Sequence, residues 1–218
     1  RRISRVRKVM APKNGYEDWE ITQMLSNALG YPMHYKHASE IMDEVAQLTP
    51  TFKGVSYEKL DKLESIQWPC NDEFPEGTPT MHVDEFVRGK GKFFITEYVP
   101  TVEKVNGKFP LIMTTGRILA HYNVGAQTRR TKNSEWHDED LIEIHPHDAE
   151  ERGINERDWV GINSRSGDTV LRAKITDKVQ PGVVYTTFHH PVSGANVITT
   201  DNSDWATNCP EFKVTAVQ

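Results

Sequence analysis

The sequence predicts an α/β chain in which a helical N-terminal part, residues 1–66, precedes a β-rich C-terminal part, residues 109–218. Two observations support this prediction. Apolar residues recur at helical spacing between residues 17 and 48, and several short alternating or apolar runs bounded by turn residues follow residue 109. From these runs alone, we expect a closed barrel or a compact β-rich domain with short helices. The chain has 218 residues, which suits one large domain or two small ones.

The N-terminal part predicts three helices. The first spans residues 17–29, because Ile21, Met24, Leu25, Ala28 and Leu29 form one apolar stripe, and Gly30 and Pro32 stop it. The second is capped by Ser39 and ends at Thr49-Pro50, and the third runs from Tyr57 to Leu63. We expect the stripe of the first helix to be left exposed in this chain, as a face that a larger domain covers.

Residues 67–108 predict an irregular connector because prolines and glycines interrupt them repeatedly. Short strands are expected within the connector at Phe93–Ile95 and Tyr98–Val99. The β-rich part should contain a short helix opened by His145-Pro146 and six strands, at Leu111–Thr114, Leu141–Ile144, Trp159–Ser164, Thr169–Thr176, Val183–Phe188 and Phe212–Val217.

Composition excludes two classes of protein. The formal net charge is −5, which argues against a general nucleic-acid binder, and no apolar run has the roughly 18–20 residues of a membrane-spanning helix. The two cysteines, Cys70 and Cys209, form neither a disulfide framework nor a four-thiolate metal site, and this usage is typical of a reduced, cytoplasmic protein. The chain starts without Met and stops inside a strand pattern, so we interpret it as a piece of a longer polypeptide.

Charge is distributed unevenly along the β-rich part. Residues 104–134 contain six Lys or Arg and no Asp or Glu, whereas residues 135–158 hold ten acids. An acid-free, donor-rich stretch after a buried strand suits a phosphate or pyrophosphate, although a solvated basic loop remains the alternative. The basic residues 1–10 are likewise either a solvated arm or a contact to an anionic partner.

The histidines and cysteines do not establish a metal centre. His34-x-x-His37 and His145-x-His147 lack the spacing of a structural zinc site, and His145 and His147 are best interpreted as capping and surface residues. His189-His190 follows a strand, where contact with a ligand is one alternative and a structural role is the other. Cys70 is expected to be a packed thiol, and no residue is marked as an activated nucleophile.

An ordered set of short motifs resembles the molybdopterin-dinucleotide-binding domain that ends the catalytic (alpha) subunit of molybdenum- or tungsten-dependent formate dehydrogenases. The set comprises Thr114-Thr115-Gly116-Arg117, His121-Tyr122-Asn123, His145-Pro146-His147-Asp148-Ala149, Ser164-Arg165-Ser166-Gly167, Gly182-Val183-Val184-Tyr185, His189, Ala195-Asn196 and Pro210-Glu211-Phe212-Lys213. Upstream, Ser65–Cys70 and Gly15–Ile21 also resemble that family. The resemblance favours its cytoplasmic, NAD-dependent branch.

The resemblance implies a six-stranded double-psi β-barrel at residues 109–218, a connector at 67–108 and the end of an α/β domain at 1–66. It implies a bis-molybdopterin guanine dinucleotide with Mo or W, bound jointly with the rest of the subunit, and iron–sulfur clusters and FMN elsewhere in a multisubunit complex. The cofactor contacts map onto Thr115, Gly116, Arg117, His121, Tyr122, Asn123, His189, Asn196, Phe212 and Lys213. No residue here matches the family's metal ligand or catalytic residues.

The function implied is therefore the cofactor-binding portion of a formate dehydrogenase, which oxidises formate to CO₂ with NAD⁺. Its partners would be the remainder of the alpha subunit and the flavin and iron–sulfur subunits, with neither nucleic acid nor membrane. We expect these residues alone to be inactive. The alternatives are a freestanding β-barrel binding or assembly module and another molybdopterin oxidoreductase such as a nitrate reductase.

Overall fold

The computed structural model describes all 218 residues and divides them into two compact units, Arg1–Ile95 and Thr96–Gln218. Each unit contains its own hydrophobic core. None of the helices combines the length and the apolar character needed to cross a bilayer. The boundary between the units lies inside the stretch predicted to be a connector.

The N-terminal unit contains three α-helices and a two-stranded antiparallel sheet. The helices are α1 (Asp18–Ala28), α2 (Ala38–Leu48) and α3 (Tyr57–Leu63), and the strands are β1 (Arg2–Ser4) and β2 (Ser65–Gln67). Its core consists of Val55, Leu60, Ile66 and the fully buried Cys70. The prediction that Cys70 is a packed thiol is thereby confirmed.

The three predicted helices are present, with one correction at a cap. A capping box, in which the Glu20 carboxylate accepts from the backbone N–H of Glu17 at 2.7 Å, starts α1. The predicted cap Ser39 is wrong, because α2 begins at Ala38 and its N-cap is His37, two residues earlier, whose ring accepts from the backbone N–H of Ser39 at 3.1 Å. The apolar stripe of α1 is exposed as expected, from 43% at Met24 to 78% at Leu29.

The expected strands at Phe93–Ile95 and Tyr98–Val99 are absent. Both runs are almost fully exposed, and neither pairs with another strand. Their β-branched and aromatic residues have the right local propensity, but a strand also needs a partner for its backbone groups and a surface for its side chains.

The C-terminal unit is built on a curled six-stranded sheet in the order β5-β6-β4-β7-β3-β8. Its strands are β3 (Leu111–Gly116), β4 (Leu141–Ile144), β5 (Trp159–Asn163), β6 (Asp168–Ile175), β7 (Val183–Thr187) and β8 (Thr215–Val217). The pairs β3–β7 and β4–β6 are parallel, and the other pairs are antiparallel. The two edges of the sheet touch at one point, where Asn163 of β5 and Gln218, the residue after β8, exchange two backbone hydrogen bonds.

Alternation of side chains along the strands builds the core of this unit. Successive residues of β3 alternate between buried and half-buried. Its buried Met113 shares the core with Ile142 of β4 and Ala173 of β6. The short helix α4 (Pro146–Arg152) follows β4 as predicted, with the ring of His145 accepting from the N–H of His147 at 3.2 Å. The last strand is shorter than predicted and leaves Phe212 and Lys213 outside the sheet.

Candidate functional site

The candidate site lies where two neighbouring parallel strands end. Gly116, the last residue of β3, is in register with Thr187, the last residue of β7. Because the strands run in the same direction, the segments that follow them leave from the same edge of the sheet. We call residues 117–133 the β3 loop and residues 188–202 the β7 loop, and together they carry six of the ten residues predicted to bind a cofactor.

Two glycines allow the backbone to pass closely at this edge. A Cβ built on Gly116 would lie 2.6 Å from the hydroxyl of Tyr185. Gly125 has a φ of +70°, and its Cβ would lie 2.6 Å from the carbonyl oxygen of His189. A side chain at position 125 would therefore push the β3 loop away from the β7 loop, whereas one at position 116 would displace the ring of Tyr185.

Arg117 is exposed and has no carboxylate partner. Its Nη2 donates to Oδ1 of Asn123 at 3.4 Å, and its guanidinium lies 5.2 Å from the ring centroid of Phe188. An aromatic face beneath a guanidinium limits its motion without neutralising its charge. Arg117 is thus a positioned cation available to an anionic ligand.

His189 joins the two loops and is completely buried. The backbone N–H of Ile118 donates to its Nε2 at 3.2 Å, so that nitrogen carries no proton. The other ring nitrogen, Nδ1, therefore carries the proton and donates to the carbonyl oxygen of Asn123. Both bonds reach backbone groups of the β3 loop, so His189 acts in the structure as a neutral cross-link.

His121 is also buried and plays a similar part within the β3 loop. Its Nε2 donates to the carbonyl oxygen of His137 at 2.7 Å. Its Nδ1 lies 2.9 Å from the hydroxyl of Thr128, which itself accepts from the backbone N–H of Tyr122 at 3.2 Å. The structure thus uses both nitrogens of His121 to shape the loop and leaves the neighbouring side chain of Tyr122 68% exposed.

Thr115 connects two stretches that the sequence analysis treated separately. Its buried hydroxyl donates to the carbonyl oxygen of Phe212 at 3.1 Å. This bond fixes the segment that carries Phe212 and Lys213 beside the end of β3, and the side chains of both residues are exposed. Asn196 lies in a short 3-10 helix of the β7 loop, and its side chain is exposed as well.

Asp140 is the residue that the sequence analysis missed. It lies just before β4, which pairs with β7, and its side chain is fully buried. Its Oδ1 accepts from the hydroxyl of Thr187 and from the N–H of His189 at 3.1 Å. Its Oδ2 accepts from the N–H of His190 and the hydroxyl of Ser193, both at 2.8 Å. No feature of the sequence distinguishes Asp140 from Asp138 and Glu139 beside it.

The environment of Asp140 keeps it ionised. Burial raises the pKa of its carboxyl, but the hydrogen bonds from Thr187, His190, Ser193 and His189 outweigh burial and hold the pKa below its usual value. Burial lowers the pKa of the nearby His137, and the opposing effect of the Asp140 charge offsets this only in part.

Four imidazole rings gather around this carboxylate. The ring centroid of His121 lies 5.1 Å from that of His190, 5.5 Å from that of His189 and 6.3 Å from that of His137. These separations fit packed rings, and nowhere in the chain do three or more His, Cys, Asp or Glu side chains converge as metal ligands would.

The β3 loop carries an uncompensated positive charge. None of the six basic residues between 104 and 134 forms an ion pair with a carboxylate. No carboxylate from elsewhere in the fold therefore neutralises the basic residues of this acid-free stretch.

A cavity of about 700 Å³ also exists in this unit. Apolar core residues such as Leu111, Ile144 and Val184 line it, and none of the ten predicted residues does.

Known proteins resemble both residues 111–216 and the chain as a whole. Residues 111–216 match the family model described as "Molydopterin dinucleotide binding domain". The chain is 39% identical over its whole length to the F420-dependent formate dehydrogenase subunit alpha of Methanocaldococcus jannaschii, and covers 33% of that protein. It is 32% identical to formate dehydrogenase H of Escherichia coli, again over its whole length, and covers 32% of that protein.

The chain thus spans about a third of the length of the curated relatives it matches, and corresponds to their C-terminal part. Among solved structures, acetylene hydratase from Pelobacter acetylenicus superposes with a TM-score of 0.66 at 14% identity, over 94% of this chain and 32% of that one. At this level of identity the likeness shows a shared fold and leaves the chemistry open.

Proposed function

Because residues 111–216 belong to the molybdopterin dinucleotide-binding domain family, we propose that this chain is the cofactor-binding C-terminal portion of the catalytic (alpha) subunit of a molybdenum- or tungsten-dependent formate dehydrogenase. The observation that carries the proposal is the coincidence of the family match with the site. All ten residues predicted to contact the cofactor lie within residues 111–216, which also contain the basic residues of the β3 loop that have no ionic partner.

The residues at this edge of the sheet fit a dinucleotide cofactor. A pyrophosphate needs hydrogen-bond donors, positive charge and the absence of carboxylates, and the β3 loop offers all three. The lack of a Cβ at Gly116 and Gly125 lets the ring of Tyr185 and the β7 loop pack directly against the segment that would hold the cofactor. Arg117, Tyr122, Asn196, Phe212 and Lys213 would contact the cofactor with their exposed side chains, whereas Thr115, His121, Asn123 and His189 hold the loops in place.

When bound, the cofactor's metal would accept the two electrons released as formate becomes CO₂. The role of this chain is to bind and orient that group. Arg117 supplies a charged donor over the ring of Phe188, and His189 keeps the two loops together through its neutral ring. We assign no catalytic residue and no metal ligand to these 218 residues, and place both in the remainder of the subunit.

Further parts of the proposal concern topology and organisation. We propose that the curled sheet is the double-psi barrel of the family, since its two edges touch at Asn163 and Gln218. We also propose the division into the end of an α/β domain at 1–66, a connector at 67–108 and the cofactor-binding barrel at 109–218. A cytoplasmic complex with flavin and iron–sulfur subunits completes the proposal.

The proposal also includes the acceptor that receives the electrons from formate. The resemblance stated above favours NAD⁺, whereas relatives such as that of Methanocaldococcus jannaschii are named as F420-dependent. Purified full-length complex should therefore be assayed with formate and NAD⁺, F420 or a viologen dye in parallel. We propose NAD⁺ as the acceptor, and reduction of F420 alone would contradict that part while leaving formate oxidation intact.

The decisive experiment is metal and pterin analysis of the full-length subunit. We expect about one Mo or W and two GMP per subunit after hydrolysis, together with formate-dependent reduction of the dye. Absence of both metal and pterin would contradict the proposal and favour a freestanding binding module. A loaded enzyme that reduces nitrate and ignores formate would favour a nitrate reductase.

A further inference from the structure

The β7 loop is organised around a single buried charge. Four donors, the hydroxyls of Thr187 and Ser193 and the backbone N–H groups of His189 and His190, converge on the carboxylate of Asp140. Three of the four lie in the β7 loop, and the fourth ends the strand that precedes it. Removing a carboxylate from water is unfavourable unless such donors replace the water, so the charge and the loop conformation depend on each other.

The effect of this carboxylate extends to the β3 loop through one side chain. Asp140 fixes the backbone of His189, and the ring of His189 bonds to the N–H of Ile118 and the carbonyl oxygen of Asn123. Those two backbone groups flank the segment that contains His121 and Tyr122. A continuous path of hydrogen bonds thus joins Asp140 to both loops of the site.

Asp140 itself has no access to a ligand, because its side chain is fully buried. We propose that Asp140 is a positioning residue, which holds the β7 loop directly and the β3 loop through His189 in the conformation that receives the dinucleotide cofactor. This inference rests on the proposed function, and it assigns the organisation of the site to a residue outside the ten predicted contacts.

The substitution Asp140→Asn tests the proposal with little change in size. Asparagine retains one acceptor oxygen, but its amide nitrogen would face two of the four donors, so one side of the site loses its hydrogen bonds. Asp138→Asn is the matched control, because it removes the same charge from an exposed residue two positions earlier.

Both variants should be made in the full-length subunit and analysed for Mo or W and GMP content. We expect Asp140→Asn to lower cofactor occupancy about tenfold and Asp138→Asn to leave it unchanged. In the loaded fraction, kcat per metal should fall while KM for formate stays within about twofold, and the electron paramagnetic resonance signal of the metal(V) state should shift. A mere loss of packing would lower the melting temperature and leave that signal unchanged.

The proposal would be overturned if Asp140→Asn had the cofactor occupancy and the metal(V) signal of the wild type. This holds whether or not the melting temperature of the variant is lower. If Asp140→Asn fails to fold, Ser193→Ala removes the hydroxyl that lies 2.8 Å from Oδ2 of Asp140 and 2.7 Å from the carbonyl oxygen of His190. It should lower occupancy about twofold with the same spectral shift, and no change in either would equally overturn the proposal. A wild-type subunit without metal and pterin would instead refute the proposed function, so the two failures are distinguishable.

Discussion

Two regions of the C-terminal unit differ in whether their basic side chains form ion pairs. In the β3 loop, Arg117, Arg129, Arg130 and Lys132 form no ion pair with a carboxylate. Between residues 148 and 174, by contrast, the basic side chains are paired: Arg152 with Asp148 and Glu151, Arg157 and Arg172 with Glu139, Arg165 with Glu103, and Lys174 with Glu143.

The difference identifies the β3 loop as the place where an anion would meet positive charge that the fold itself does not neutralise. Paired cations are satisfied within the fold and contribute to its stability or to its surface. Unpaired cations gathered at one edge of a sheet create a local positive potential that only solvent ions or a ligand can compensate. Aspartate and glutamate are common in the adjacent segment, so their absence from residues 104–134 is a property of the site and not of the chain.

The largest expected effect comes from expressing residues 1–218, which contain both regions, without the rest of the subunit. Residues 1–218 expressed alone should show no formate-dependent dye reduction and should retain no stoichiometric metal. The chain offers one contact surface for a cofactor that needs several, and no three or more potential ligand side chains converge. Dye reduction assays with analysis of bound Mo, W and GMP provide the measurement. Turnover with stoichiometric cofactor would show that catalytic groups are present in these residues.

The next largest effect is a loss of stability in the paired region, residues 148–174, whose basic side chains form ion pairs. The buried carboxylate of Glu103 accepts from Arg165 and from the N–H of Ala216 in β8, both at 2.9 Å. Glu103→Ala would leave the N–H of Ala216 without its acceptor, whereas Arg165 would keep its bond to the carbonyl oxygen of Lys104 at 3.1 Å. Leaving a buried donor unsatisfied typically costs about 1–3 kcal/mol, and we expect a loss in that range, measured as a lower denaturant midpoint. A midpoint equal to that of the wild type would contradict the inferred role of this pair.

The unpaired region should respond in ligand binding and not in stability. Arg117→Ala removes a charged donor, which is worth about 1.5–3 kcal/mol or roughly a 10- to 100-fold loss of affinity. Metal and GMP content of the full-length variant would report the loss. Arg157→Ala is the control, because it removes an equivalent charge that Glu139 already neutralises. Equal cofactor content in the two variants would mean that the lack of an ion pair at Arg117 has no role in cofactor binding.

Local patterns account for the part of the fold that was predictable from sequence. The strand Leu141–Ile144 and the helix Tyr57–Leu63 occur at the predicted residues because their apolar spacing and flanking turn residues are encoded within a few positions. The runs at Phe93–Ile95 and Tyr98–Val99 have similar local propensity, yet they form no strand. Leu141–Ile144 forms a strand because neighbouring strands are available to pair with it, and local propensity does not reveal whether such partners exist.

For the candidate site, the charge of its loops could be predicted from the sequence, but the hydrogen bonds that join those loops could not. The acid-free stretch after β3 and the His189-His190 pair after β7 can be read from the sequence. That the ring of His189 bonds Ile118 and Asn123, 71 and 66 residues earlier, depends on the parallel pairing of β3 with β7. Asp140 is one of ten acids in residues 135–158, and only the pairing of β4 with β7 brings it to Thr187.

The smallest expected effect is a pH dependence of stability that arises beside the unpaired region. Because the pKa of His137 is lower in the folded protein than its usual value of 6.5, the unfolded chain binds more protons below that pH. The free energy of unfolding should therefore decrease as the pH falls below 6.5. The pKa of Asp140 lies below its usual 3.8, so its stabilising contribution persists at pH 5.5 and is lost only in stronger acid.

The melting temperature of the full-length subunit at pH 7.5 and pH 5.5 measures this effect, with His137→Gln as the comparison. Glutamine has no proton to gain in this range, so the variant should lose less stability between the two pH values than the wild type does. An equal loss in both proteins would show that other groups govern the acid sensitivity. Such a result would mean that the four imidazole rings near Asp140 do not determine how stability depends on pH. Their remaining role would be to shape the loops that carry the unpaired cations.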